Sequence, residues 1–130
     1  MSDVIYYDYR YKCALADLPV ALRVLDALRA ASVLHGASLP ANMLGDARDA
    51  TGALVGPDVE PAFVGRTGRA ASTFTDDSTQ QTITTPPTGD PGYWYFAVRT
   101  TLDALPVDPT TFGLIACSAE ESAAVLGVWA

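Results

Sequence analysis

Residues 4–13 alternate without a break. Ile5, Tyr7, Tyr9, Tyr11 and Cys13 fall on one side of an extended chain, and Val4, Tyr6, Asp8, Arg10 and Lys12 on the other. Only a strand sends successive side chains to opposite faces, so a period of two rich in aromatics predicts a half-buried β-strand. A helix signal follows at once. Asp17 stands where a capping residue is wanted, Pro19 is tolerated in a first turn, and Leu18, Leu22, Leu25 and Leu28 share one helical face. Arg23, Asp26 and Arg29 fall opposite them. The spacing predicts an amphipathic helix from Leu18 to a stop near Gly36.

The second strong strand is residues 93–102, YWYFAVRTTL. Both of its faces are apolar at the start, which predicts a central strand covered on both sides. Residues 112–117 form a shorter apolar run and lead into Ser118-Ala119-Glu120-Glu121, an S-x-x-E capping box. A short helix through Leu126, closed by Gly127, is expected there. Glycine and proline punctuate residues 38–70 too often for a long element, so only short strands near 53–55 and 62–64 are expected. Residues 71–90 are rich in Thr, Ser and Gln, with Asp76-Asp77-Ser78 set between STFT and QTITT. Threonine favours strands, so a projecting β-hairpin is expected over about 71–90 rather than a disordered loop.

Strands and helices mix without strict alternation. The chain of 130 residues is therefore read as a single compact α+β domain over residues 1–130, with a largely antiparallel sheet, one amphipathic helix after the first strand and a short C-terminal helix.

The net charge of −7, with one Lys and seven scattered Arg, argues against nucleic acid and against an anionic membrane surface as partners. No apolar run approaches the roughly 18 residues of a membrane span, and the acidic start MSDVIYYDYRYK lacks the pattern of a secretory signal. Charged residues are only 18% of the chain, a composition that suits either a lone monomer or a surface facing other subunits. Cys13 and Cys117 each end an apolar run and are expected as buried free thiols.

No chemistry-bearing pattern emerges. His35 is the only histidine and stands beside Gly36, where it suits a helix C-terminus better than a catalytic site. Two Cys and one His, widely separated, lack zinc-ligand spacing. The pairs Asp76-Asp77 and Glu120-Glu121 do not converge, because neighbours on a strand or helix point apart. Asp46-Ala47-Arg48-Asp49-Ala50-Thr51-Gly52 places Arg where a calcium loop needs an acid. Gly65-Arg66-Thr67-Gly68-Arg69 matches no phosphate-binding loop and is expected as a mobile turn. No catalytic residue, metal or cofactor is expected, and the chain is not read as an enzyme.

Two segments remain as contact candidates. Thr75, Asp76, Asp77 and Thr79 cluster at the expected hairpin tip. Val128 and Trp129 follow the last helix, where the Trp either docks on a neighbour or folds back beside residues 93–96.

The opening VIYYDYRY, the strand GDPGYWYFAVRTTL and the ending SAEESAAVLGVWA together resemble a set of small bacteriophage proteins associated with tails and tail fibres. The resemblance implies a structural virion subunit, made in the host cytoplasm, whose partners are other virion proteins or copies of itself. It implies no catalytic residue. The alternatives are a tail-fibre assembly chaperone, a head decoration protein, and a small hydrolase with an unrecognised carboxylate site.

Overall fold

The computed structural model describes residues 5–31, 47–48 and 63–127. Two antiparallel strands form its centre. Strand β1 (Tyr7–Ala14) pairs residue for residue with the eight-residue β6 (Tyr93–Thr100), from Tyr7 opposite Thr100 to Ala14 opposite Tyr93. Strand β3 (Phe63–Thr67) lies on the other side of β6, with the two-residue β2 (Ala47–Arg48) beyond it. A two-residue β7 (Ile115–Ala116) extends the sheet past β1, so the order is β2-β3-β6-β1-β7. Strands β4 (Ser72–Asp76) and β5 (Gln81–Thr85) form a separate two-stranded sheet.

Strand β1 keeps the expected pleat but not the expected burial. It begins at Tyr7, and both Ile5 and Tyr7 are exposed. Asp8, Arg10 and Lys12 on the other face are as half-buried as Tyr9 and Tyr11, because both faces of the sheet are covered. Cys13 is buried and Tyr11 packs on the same face, beside Trp94, Phe96 and Val98 of β6. Helix α1 (Leu18–Ala30) covers that face with Ala21, Val24, Leu25 and Leu28, all buried, while Leu18 and Leu22 pack at its margin. The indole of Trp94 stacks on Phe96 at 5.0 Å, and Tyr11 meets Phe96 at 5.7 Å. Helix α2 (Ala119–Leu126) covers the opposite face, packing Val125 and Leu126 on Val64, Tyr95 and Ala97. Strand β6 is thus central and buried on both sides, which is why its sequence is apolar on both. The molecule is a single compact α+β domain with antiparallel sheets, an amphipathic helix after the first strand and a short C-terminal helix. Among the described residues, no helix is long and apolar enough to cross a membrane.

Several local expectations are corrected. Helix α1 ends at Ala30, not near Gly36, with Ala31 donating back to the Ala27 carbonyl. After Leu28 the next position of that face, Ala31, is small and exposed. Asp17 makes no side-chain cap, because a 3-10 turn over Leu15–Asp17 precedes the helix and removes the extended backbone a cap requires.

The third correction concerns Gly65 to Arg69, which form no mobile turn. Gly65, Arg66 and Thr67 continue β3, Gly68 donates to the Tyr93 carbonyl at 3.0 Å, and Arg69 exchanges two backbone bonds with Thr88. The glycines here are close-approach positions. A Cβ on Gly65 would lie 2.4 Å from the indole of Trp94, and one on Gly68 would lie 2.1 Å from the Asp90 carbonyl oxygen. Cys117 also departs from expectation, being only partly buried, and both cysteines are free. They belong to opposite faces of the sheet.

The C-terminal capping box forms by half. The Ser118 hydroxyl accepts from the Glu121 amide at 3.1 Å, and Gly127 closes the helix in the left-handed conformation with φ of 75°. The Glu121 carboxylate is engaged elsewhere, by the Lys12 ammonium at 2.6 Å. That ion pair pins α2 to β1. The Lys12 ammonium also lies 5.4 Å from the centre of the Tyr93 ring.

Candidate functional site

The hairpin β4–β5 is built from five cross-strand pairs, Ser72 with Thr85 through Asp76 with Gln81. The pleat divides it cleanly. Phe74 and Ile83 stand directly opposite each other on one face, and Thr73, Thr75, Thr82 and Thr84 share the other. Neither face is covered: Phe74 is 55% exposed and Ile83 39%. The tip is tightly ordered by its own side chains. The Asp76 carboxylate accepts from the Ser78 amide at 2.9 Å and from its hydroxyl at 2.7 Å, and the Gln80 amide donates to the Asp76 carbonyl at 2.7 Å. Those bonds hold the Asp76 carboxyl below its ordinary range, the Ser78 hydroxyl first and the Ser78 amide next. Gln80 takes the left-handed backbone, φ 59°, that lets the chain turn into β5.

The four contact candidates of the tip therefore divide by role. Asp76 is committed to holding the turn, and Thr79 supports it by accepting from the Gln81 amide at 3.4 Å. Thr75 and Asp77 are exposed. Val128 and Trp129 lie outside the described residues, as do His35 and the expected strand near 53–55.

At the base of the hairpin is an open cleft of about 580 Å³. Arg66, Thr67, Gly68 and Arg69 line it from the end of β3, and Thr88 from the return of the hairpin. Ala124, Val125 and Gly127 of α2 complete it. The Arg69 guanidinium donates to the Pro86 carbonyl at 3.0 Å, which holds the hairpin's base against the cleft. No carboxylate from the described residues lines it. Sequence reading missed this cleft because its walls come from three separated segments, and no spacing signal links them.

No family model, curated protein or solved structure matches the chain. The functional reading therefore stands on geometry and on the resemblance of the two ends of the sequence.

Several other polar groups among the described residues are tied into structure. Arg99 holds Asp8 with two bonds, 2.6 Å from Nε and 2.8 Å from the terminal nitrogen, and Arg10 meets the same carboxylate at 3.2 Å. This cross-strand set fills the part of the sheet face that α2 does not reach with charge rather than with apolar contacts. Burial pushes the thiols of Cys13 and Cys117 up to about 11, with Asp17 and Glu121 respectively adding to the effect. Neither is a thiolate at neutral pH. A second, shallower cleft of about 350 Å³ lies beside Tyr9, Tyr11, Asp103 and Asp108. Its Asp108 caps the 3-10 turn Pro109–Phe112 through the Thr110 amide, and Tyr9 donates to the Leu102 carbonyl. Among the described residues, no three of His, Cys, Asp and Glu gather as a metal site would require.

Proposed function

We propose that this chain is a structural subunit of a bacteriophage particle, in its tail or tail fibre, and acts through protein–protein contacts rather than through chemistry. The phage assignment follows the resemblance of VIYYDYRY, GDPGYWYFAVRTTL and SAEESAAVLGVWA. The mode of action follows the hairpin. Its Phe74–Ile83 pair carries the observation: two large apolar side chains sit on an ordered element that packs neither face on its own core. A two-stranded hairpin has little stability of its own, so it persists here through its turn chemistry and its anchored base. Aromatic side chains of this kind are habitual anchors at interfaces.

The test is a double substitution, Phe74→Ser with Ile83→Thr, in the particle-producing genome. The variant chain should keep its melting temperature and be depleted from purified particles, as read by quantitative mass spectrometry. Particles carrying the variant at full occupancy would overturn the contact role. Neighbouring genes that encode no virion proteins would count against the phage assignment separately.

A further inference from the structure

The chain is acidic, 15 carboxylates against 8 cations, yet the cleft at the base of the hairpin presents two arginines and no carboxylate from the described residues. Most other described cations are already matched. Arg10 and Arg99 share Asp8, Lys12 meets Glu121, and Arg29 meets Asp26. The cleft is therefore a concave, basic spot on a chain of net charge −7, with an apolar wall from Ala124 and Val125. At the far end of the hairpin stands its complement: a narrow, convex, acidic tip at Asp76, Asp77 and Ser78. The Asp76 carboxylate is engaged by Ser78, and Asp77 beside it is exposed.

Tip and cleft of one chain cannot meet. The hairpin rises from Arg69 at the cleft, and seven residues at about 3.3 Å each set the tip roughly 20 Å away. The antiparallel pairing of β4 with β5 keeps it there.

We infer that the acidic hairpin tip of one copy seats in the Arg66–Arg69 cleft of a second copy of this chain. This inference deepens the reading of the chain as a structural subunit and rests on it. The two surfaces differ, so the contact is head-to-tail, and repetition closes a ring or builds a filament instead of a two-fold dimer. Because opposite charges carry it, the contact weakens with salt.

Sedimentation velocity of the purified full chain across a wide concentration range, at low and at high salt, tests this directly. The wild-type chain should associate in a concentration-dependent way, and less in high salt. Arg66→Glu and Asp77→Arg should each weaken association by at least tenfold; both side chains are exposed, and unchanged melting temperatures check that both variants fold. Mixing the two variants should restore association, since each supplies the surface the other lacks and the swapped charges match. A wild-type chain that stays monomeric, an association indifferent to either substitution, or a mixture that stays monomeric would each overturn the inference. The outcome is separable from that of the function. A monomeric wild type whose Phe74/Ile83 variant is lost from particles removes the inference alone. A self-associating wild type whose Phe74/Ile83 variant fills particles normally removes the contact role instead.

Discussion

Two pairs of antiparallel strands in this molecule satisfy their backbones in the same way and differ in everything else. The β1–β6 pair runs eight residues in register and buries Trp94 through Val98. The β4–β5 pair runs five residues in register and leaves almost every side chain exposed. Ladder hydrogen bonds are common to both, so they do not explain why one pair is core and the other surface. Packing does: β6 has α1 on one face and α2 on the other, whereas the hairpin has only its turn and its base. An aromatic on so unprotected an element adds little to the chain's own core.

Substitution of phenylalanine should expose this contrast most sharply. Phe96 is fully buried between Trp94 and Tyr11, while Phe74 is 55% exposed. Phe96→Ala should cost about 3–5 kcal/mol, the loss expected for a core aromatic. Phe74→Ala should cost no more than about 0.5 kcal/mol, as for other surface positions. Urea unfolding of the two variants measures both. Comparable losses would mean that the hairpin is part of the cooperative core, and the division drawn here would fail.

A smaller effect tests whether the hairpin opens on its own. Gln80 sits at φ 59°, a region that β-branched residues avoid. Gln80→Val should weaken the hairpin by about 1–2 kcal/mol, which makes local opening roughly 5–30 times more frequent. Hydrogen exchange should then quicken at the β4 and β5 amides and stay unchanged in β1 and β6. Quickening in all four strands would show that the two pairs unfold together.

The same contrast marks what was legible in the sequence. Strand β6 announced itself because a strand covered on both faces is apolar on both, and β1 by its period of two, although its polar face proved half-buried by ion pairs as well. The hairpin was readable from threonines around an Asp-Asp-Ser turn, a local signal needing no core. What escaped had long-range causes. Gly65 and Gly68 look like loop punctuation until Trp94 and Asp90 are seen pressing against them. Glu121 fits a capping box by spacing, yet its carboxylate goes to Lys12, 109 residues away in sequence. The basic cleft joins residues 66–69, 88 and 124–127, which nothing along the chain connects.

The smallest predicted effect sits at the hairpin tip and is read by pH. The Asp76 carboxyl titrates below the ordinary value of 3.8, chiefly because the Ser78 hydroxyl and amide donate to its charged form. A carboxylate whose folded pKa is depressed contributes stability that is present above its unfolded pKa and is lost as pH falls through the folded one. The contribution should thus be complete at neutral pH and begin to fade only below about 3.8. Asp76 lies at the solvent-screened tip of the hairpin, so the change belongs to the turn and not to the fold as a whole. An acid titration followed by NMR should show the Ser78 amide moving with a midpoint below the ordinary carboxyl value of 3.8, with the β6 amides unmoved over the same range. Asp76→Asn should flatten the Ser78 response, because an amide oxygen still accepts the two bonds but carries no charge to lose. A Ser78 amide that titrates identically in the Asn variant would show that another acid governs the tip, and the turn would no longer account for the hairpin's order.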